Sequence, residues 1–205
     1  MAGGSIRTRG SYDQDSILAV AVELFIRHGY EATSMGLLAE NLGITKSAIY
    51  HHVPSKEHLL RLALDRALGG LESVLADPLA STGPSIDRLR FVLHSAVAVL
   101  TEELPFVTLL LRLRGNTPLE REALERRRAF NRAVADLVDQ AHADGAIRDD
   151  IDARTLTRLL FGMINSIVEW YRPDGPVDAT TLSDDVVAVA FTGIQSARTD
   201  GHEVD

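Results

Sequence analysis

One short stretch of the chain, Lys46 to His52, brings together a lysine, a serine hydroxyl, an alanine methyl, a phenol and two imidazoles. Such side chains can donate hydrogen bonds to base edges, touch a thymine methyl and bond phosphate oxygens. The surrounding stretch from Asn41 to Ser55 contains no carboxylate, and Lys56 follows it directly. These residues form a local cationic patch, and the chemistry that they indicate is contact with DNA.

The two adjacent histidines raise the alternative of a metal site. Neighbouring side chains on a helix point about 100° apart, so His51 and His52 do not readily share one ion. The chain also contains 0 Cys, which excludes disulfides, thiolate metal sites and a cysteine nucleophile. We therefore expect no metal and no cofactor.

The net charge of -8 argues against a nucleic-acid binder, because phosphate contact draws on Lys and Arg. The acidity is unevenly distributed along the chain. Residues 1–58 carry five Lys and Arg against six Asp and Glu, a net charge of -1, which leaves -7 for the remainder. The acidic residues therefore belong mainly to the part of the chain that follows the cationic patch.

The cationic patch lies in a sequence typical of a helix-turn-helix. That motif packs two helices across a short turn, so it requires glycine in the turn and small or aliphatic residues on the inner side. Ala39 allows close approach, Gly43 permits the turn, and Ile44 and Ile49 are expected to fill the space between the helices. The second helix, 45–52, then presents its polar face outward.

Apolar residues recur at three-to-four spacing along almost the whole chain, and no alternating run is long enough for a strand. The fold class predicted is all-α, with about nine helices. Thr33, Thr45, Ser55 and Ser85 are expected to cap four of them, and 117–120 to form a capping box. We divide the chain into a flexible N-terminal arm (1–11), a helix-turn-helix domain (12–58) and a helical effector-binding and dimerisation domain (59–205).

Sequence signatures of other protein classes are absent. No apolar run approaches the roughly 20 residues of a membrane helix, and Arg7 and Arg9 precede no apolar leader, so we expect a cytoplasmic protein without membrane contact. There is no His-Glu-x-x-His, no Gly-x-Ser-x-Gly, no phosphate loop and no dinucleotide turn, so we expect no catalytic residues. The alternative is a helical small-molecule-binding protein or enzyme without DNA contact.

The chain resembles the Tet repressor (TetR) family of bacterial regulators over about residues 12 to 62. The resemblance is carried by three runs of residues: Ala21-x-x-Leu24-Phe25-x-x-x-Gly29-Tyr30-x-x-Thr33-Ser34-Met35, then Ala39-x-x-Leu42-Gly43-Ile44-Thr45-Lys46-Ser47-Ala48-Ile49-Tyr50-His51-His52, then Pro54-Ser55-Lys56-Glu57-x-Leu59-Leu60. Val53 departs from the phenylalanine common at its position. The resemblance implies a ligand-responsive repressor that binds operator DNA.

The resemblance also implies a division of roles within the motif. The positions that face bases are Lys46, Ser47, Ala48 and Tyr50. The positions near phosphates are Thr33, Thr45, His51, His52 and Lys56.

One helix offers too few base contacts to specify a site, so regulators of this kind bind pseudo-palindromic half-sites as two-fold dimers. The last two helices carry broad apolar stripes and small residues, which favour a homodimer through a bundle of four helices. The residues expected at the interface are Leu160, Gly162, Ile164, Ser166, Ile167, Val187, Ala190, Phe191 and Ile194. Alternatively, these stripes only close the core of one chain.

In the family, the middle helices enclose a small-molecule effector that releases the operator. The residues expected to line that pocket are Phe91, His94, Leu109, Arg112, Leu113, Phe130, Arg158, Phe161, Asn165, Glu169, Trp170 and Arg172. Asn165 to Pro176 resembles a segment of members that respond to acyl-CoA thioesters, which points to a hydrophobic effector of that class. The alternative is that the aromatic residues are ordinary core and that Trp170 and Tyr171 end a dimer helix.

Overall fold

The computed structural model describes residues 13–193, and the predicted N-terminal arm, 1–11, lies outside them. Those residues form ten α-helices and no strand, which confirms the all-α prediction. The helices are α1 (Gln14–His28), α2 (Met35–Leu42), α3 (Lys46–Tyr50), α4 (Lys56–Ala76), α5 (Pro78–Ser81), α6 (Ser85–Glu102), α7 (Leu104–Arg112), α8 (Pro118–Ala143), α9 (Ala153–Trp170) and α10 (Ala179–Thr192).

The short helix α5 is one that the apolar spacing does not predict. The Asp77 carboxylate accepts a hydrogen bond from the Leu79 N–H at 2.8 Å, and Pro78 occupies the first helical position. Proline is suited to that position because its missing N–H would have no partner there anyway. The Asp-Pro pair therefore ends α4 and also begins a new turn of helix.

Several predicted helix boundaries are confirmed by side-chain caps. The Thr45 hydroxyl accepts from the Ala48 N–H at 3.2 Å, and the Ser55 hydroxyl accepts from the His58 N–H at 3.0 Å. The start of α9, for which no cap is named above, has the same arrangement, because the Asp152 carboxylate accepts from the Thr155 N–H. Each bond satisfies a donor that the first turn of a helix leaves without an intrahelical partner.

Two predicted caps are wrong. Ser34, not Thr33, caps α2, because its hydroxyl accepts from the Leu37 N–H at 3.1 Å. Ser85 is the first residue of α6 rather than its cap, and its hydroxyl donates to Asp144 at 2.5 Å. In both cases the hydroxyl that was expected to cap a helix is bonded elsewhere.

The predicted capping box of α8 forms only in part. The Thr117 hydroxyl accepts from the Glu120 N–H at 3.1 Å, as a capping box requires. The Glu120 carboxylate instead accepts from the Gly115 and Asn116 N–H groups, each at 2.9 Å. Glu120 is buried, and these two bonds supply the partners that a buried carboxylate needs.

Replacing Ser34 by Ala tests the revised cap. We expect the free energy of unfolding to fall by about 1 kcal/mol, because α2 loses the acceptor for one N–H of its first turn. Urea unfolding followed by circular dichroism measures this. Ser73→Ala, an exposed serine within α4, serves as the matched control and should leave stability unchanged. Equal unfolding curves for Ser34→Ala and the parent would contradict the cap.

The chain divides into two compact units. The first comprises the residues up to Ala67 together with 105–123, and the second comprises 68–104 together with the chain from Leu124. This division differs from the predicted boundary after residue 58, because the first half of α4 and most of α7 belong to the first unit. The sequence alone gave no sign that a later segment returns to the N-terminal unit.

Each unit has its own apolar core. In the first, Ile17 of α1, Ile49 of α3 and Leu60 of α4 are fully buried, and the Arg66 guanidinium lies 4.5 Å from the centre of the Phe106 ring. In the second, α10 and α9 both pack on α6, which buries Leu93 and other apolar side chains. Fully burying a leucine or isoleucine contributes roughly 1.5–3 kcal/mol, so these contacts fix the helices that carry the functional surfaces.

Within residues 13–193, no single helix has the length and hydropathy needed to cross a membrane.

Candidate nucleic-acid interface

The helix α3 is short, and hydrogen bonds define both of its ends. The Thr45 cap begins it, and the His51 and His52 N–H groups donate to the Ala48 and Ile49 carbonyls at 3.2 and 2.9 Å to close its last turn. The regular helix therefore covers residues 46–50, inside the predicted 45–52.

The turn before α3 fixes the position of that helix against α2. Gly43 adopts the left-handed conformation with φ of 65°, which favours glycine because it has no Cβ. The Ile44 N–H donates back to the Ala39 carbonyl at 3.1 Å, and Ile49 and Val53 are fully buried. Ile44 is only half-buried, so Ile49 is the main apolar anchor between the two helices. The predicted helix-turn-helix is present with these contacts.

The outer face of α3 is free to meet a ligand. Lys46, Ser47 and Tyr50 are exposed, Tyr50 to 48%, and Ala48 is half-buried between them. Within residues 13–193, none of the three exposed side chains makes a hydrogen bond or ion pair with another part of the chain. A large exposed phenol, an ammonium and a hydroxyl without internal partners offer donors of the kind that base edges accept.

The two histidines at the end of α3 are also exposed. Asp13, the cap of α1, lies near His52 and its pKa is lowered, mainly by hydrogen bonds from Ser16 and to a smaller degree by that imidazole. The cap of α1 therefore brings one carboxylate beside the cationic patch. In residues 13–193 no group of three or more His, Asp and Glu side chains is placed to hold a metal ion.

The prediction that Thr33 contacts phosphate is wrong in this structure. Thr33 is 2% exposed, and its hydroxyl donates to the Gly29 carbonyl at 2.9 Å and lies 3.4 Å from the Leu24 carbonyl. A buried hydroxyl with these internal partners joins the end of α1 to the start of α2. It does not face a phosphate backbone.

Lys56 has a structural role that the sequence did not reveal. Its ammonium donates to the Tyr30 and Glu31 carbonyls at 2.8 and 3.3 Å and lies 4.3 Å from the centre of the Tyr30 ring. Burial, followed by nearby Glu57, raises the pKa of Tyr30, whose ring also packs edge-on against Phe25. Lys56 thus links the turn between α1 and α2 to the start of α4, and its phosphate contact stays a prediction.

Three of the residues predicted at a dimer interface lie in the core of the second unit. Leu160, Ile164 and Ile167 are only 8%, 2% and 1% exposed, so they are not available to a second chain. The error arose because α9 is apolar over two adjacent sides. The others differ: Gly162 and Ser166 are exposed, Val187, Ala190 and Phe191 are half-buried, and Ile194 lies outside the described residues.

A different face of α9 is apolar and exposed. Leu159 and Trp170 are 59% and 52% exposed, and the exposed Gly162 and Ser166 and the half-buried Met163 lie between them at helical spacing. Large apolar side chains that stand exposed in a row are more informative than single ones, because such patches mark contact surfaces. We refer to these five residues as the exposed α9 face.

The predicted pocket residues do not share one cavity. Leu109, Arg112 and Leu113 belong to the first unit, where they line a cavity of about 570 Å³ with Phe25 and Tyr30 among its other walls. Arg158 and Phe161 line a groove of about 640 Å³ between α8 and α9 in the second unit. Phe130 packs edge-on against Phe161 with ring centres 5.6 Å apart.

Seven of the predicted pocket residues line neither of these cavities: Phe91, His94, Phe130, Asn165, Glu169, Trp170 and Arg172. His94 instead pairs with Asp184 of α10 at 3.4 Å. The groove in the second unit has further arginines, Arg128, Arg132 and Arg154, that sequence reasoning missed. Their only sequence signal was the high charge of α8, which is equally typical of a solvated helix.

Two family models match the chain. Residues 17–63 match the model described as bacterial regulatory proteins, tetR family, and residues 82–194 match the model described as tetracyclin repressor-like, C-terminal domain. Among curated proteins, the chain is similar to the HTH-type transcriptional repressor KstR2 of Mycolicibacterium smegmatis, with 27% identity over 200 residues, 92% of this chain and 94% of that protein.

Two solved structures have the same fold. The crystal structure of SCO3833, a member of the TetR transcriptional regulator family from Streptomyces coelicolor A3, superposes with a TM-score of 0.84 at 48% identity and covers 94% of each chain. AibR, solved in complex with isovaleryl coenzyme A and operator DNA, superposes with a TM-score of 0.71 at 24% identity, covering 87% of this chain and 97% of that one.

Proposed function

Because the chain belongs to the TetR family of DNA-binding transcriptional regulators, which are not enzymes, we propose that it is a repressor released from its operator by a small hydrophobic effector. The observation that carries the proposal is the outer face of α3, where exposed donors have no partner within the described chain and no carboxylate lies between residues 41 and 55.

We assign base contacts to Lys46, Ser47, Ala48 and Tyr50. Lysine donates to the guanine O6 and N7 acceptors, and the alanine methyl fits against a thymine methyl. Thr45, His51 and His52 are assigned to phosphates, since Thr45 stands at the amino end of α3, where unpaired N–H groups favour an anion. Lys56 is assigned to a phosphate as well, because its ammonium has three N–H donors and the Tyr30 and Glu31 carbonyls accept two of them.

We propose that two copies bind together through the exposed α9 face. Support comes from the row formed by Leu159, Met163 and Trp170, with Gly162 and Ser166 between them small enough for close helix crossing. On α10, Val189 is 43% exposed and is a further apolar contact for the second copy. Two-fold dimers of helix-turn-helix proteins bind half-sites about one turn of DNA apart, so the operator of such a dimer is a pseudo-palindrome.

We propose an acyl-CoA thioester as the class of effector. The segment from Asn165 to Pro176 resembles members that respond to such thioesters, and AibR, which has the same fold, was solved with isovaleryl coenzyme A. An acyl chain matches apolar walls such as Phe161, while the phosphates require cations such as Arg158.

Selection of bound sequences from random DNA, followed by gel shifts on the enriched sequence, tests the proposal. We expect enrichment of a pseudo-palindrome, a complex that contains two chains, and dissociation of that complex on addition of octanoyl-coenzyme A. Absence of any enriched sequence would contradict the assignment of the DNA contacts. An enriched complex that is indifferent to every thioester tried would contradict the effector class alone.

A further inference from the structure

The groove between α8 and α9 has the dimensions of a ligand site. Its volume of about 640 Å³ lies within the roughly 300–1,000 Å³ typical of small-molecule pockets. Four arginines line it, Arg128 and Arg132 from α8 and Arg154 and Arg158 from α9, against the two carboxylates Asp136 and Asp139. The lining side chains therefore carry a net charge of +2, in a chain whose net charge is -8.

The four arginines differ in the contacts that they make with the rest of the chain. Arg128 and Arg132 share the carboxylate of Glu125, at 3.4 and 2.8 Å. The guanidiniums of Arg154 and Arg158 make no hydrogen bond or ion pair with another residue of 13–193, although Arg158 lies near enough to Asp152 to interact with it electrostatically. Two guanidiniums whose N–H donors have no hydrogen-bond acceptor among the described residues thus face one groove from consecutive turns of α9, and each offers the fork of donors that pairs with phosphate oxygens.

A second observation at the same place points to a ligand. Thr157, between Arg154 and Arg158 in the sequence, also lines the groove, is 3% exposed and has a hydroxyl with no hydrogen-bond partner among the described residues. Buried hydroxyls in folded proteins nearly always have a partner, because an unpaired one has lost its hydrogen bonds to water. An oxygen of a bound anion supplies the missing acceptor.

The groove also has an apolar part. Phe161 lies one turn beyond Thr157 on α9 and packs edge-on against Phe130. Ala135 of α8 forms part of the groove wall on the opposite helix. The site therefore combines cations with an aromatic surface, which suits a ligand that carries phosphates on an apolar or aromatic group.

The groove and the exposed α9 face are separate surfaces. At 100° per residue, the groove residues of α9 point roughly 140° away from the centre of the exposed α9 face. A second copy packed on that face leaves the groove of each chain open. Dimer contact and anion binding can therefore be tested by different substitutions.

We propose that this groove binds the phosphate groups of the effector, so that the effector is a phosphorylated organic molecule rather than a simple carboxylic acid. Arg154 and Arg158 pair with phosphate oxygens, the Thr157 hydroxyl donates to one of them, and Phe161 contacts the adjoining apolar or aromatic part. The inference rests on the proposed effector function and deepens it, because the nucleotide end of a coenzyme A thioester has this chemistry.

Calorimetric titration of the full chain with coenzyme A, octanoyl-coenzyme A and pyrophosphate tests the groove. We expect Arg154→Gln with Arg158→Gln to weaken coenzyme A and octanoyl-coenzyme A at least about tenfold, because two charge-assisted contacts are lost. Arg61→Gln with Arg148→Gln, exposed arginines outside the groove, removes the same charge and should leave both affinities unchanged. Equal losses in the two double variants, no loss in the first, or no binding of any probe to the parent would overturn the proposal.

Thr157→Val separates ligand binding from a structural role. We expect coenzyme A binding to weaken by about threefold, while the melting temperature without ligand stays the same or rises, since a methyl group replaces an unpaired hydroxyl of the same shape. A lower melting temperature with unchanged affinity would assign Thr157 to the fold alone and overturn its part in the site.

The groove and the proposed function can fail independently. Without ligand, the Arg154→Gln, Arg158→Gln variant should bind the enriched DNA as the parent does. If the parent binds coenzyme A through these arginines but stays bound to DNA, the proposal for the groove would hold. The proposal that the effector releases the operator would then be wrong. If the parent binds no DNA sequence, the repressor proposal fails whatever the groove binds.

Discussion

Replacing Lys46 and Tyr50 together by Ala should weaken binding to the enriched DNA by roughly 100-fold or more. Each good base contact contributes about 1–3 kcal/mol, and the α3 helix of each chain in a dimer would lose two side chains. The fold should be unaffected, since both side chains are exposed and neither bonds to another described residue. Fluorescence anisotropy with labelled DNA measures the affinity, and thermal unfolding measures the stability.

Arg61→Ala is the control for this double variant. It removes a cation of the same unit from the exposed side of α4, outside α3, and should change affinity by less than about threefold. If both variants lost affinity equally, binding would depend on total charge rather than on α3. If the Lys46 and Tyr50 variant kept the affinity of the parent, the assignment of α3 as the reading helix would be wrong.

Leu159→Glu should convert a dimer into a monomer and weaken operator binding by about 100-fold. Each copy would bring a carboxylate into an apolar contact, where an unpaired charge is strongly disfavoured. The two α3 helices would then no longer be linked, so the binding of one would not raise the effective concentration of the other at its half-site. Light scattering should give a mass near the 22.4 kDa of one chain for the variant and about twice that for the parent. Emission of Trp170, the one tryptophan of the chain, should shift to longer wavelength as it becomes solvated.

Leu79→Glu is the matched control, because Leu79 is 61% exposed in the same unit but lies on a different helix, α5. It should leave both the mass and the affinity of the parent unchanged. A parent that is monomeric at all concentrations, or a Leu159→Glu variant that remains dimeric, would refute the proposed contact.

The helix-turn-helix was largely predictable because its signals are local. A glycine fixes the turn, a hydroxyl caps α3, and apolar residues at three-to-four spacing mark the inner faces, so Gly43, Thr45 and Ile49 have the roles expected of them. The choice between Thr33 and Ser34 as a cap was not decidable in this way. Both are good caps, and only the carbonyls near Thr33 decide which hydroxyl is free for α2.

The faces of α9 could not be assigned from its sequence. Leu159 and Leu160 are neighbours of the same type, and only the packing of α9 on α6 determines that the first is exposed and the second buried. The arginine groove was hidden for a similar reason. Arg132 and Arg158 lie on different helices, and a helical pattern contains no information about which charged faces meet across space.

Methylation interference on the enriched DNA tests the central claim, that α3 reads the major groove, most directly. Dimethyl sulfate modifies guanine N7 in the major groove and adenine N3 in the minor groove. We predict that N7 methylation at guanines in two half-sites, about one helical turn apart, blocks the complex, and that Lys46→Ala abolishes the block at particular guanines. Interference confined to adenine N3, or an unchanged guanine pattern with Lys46→Ala, would contradict the account.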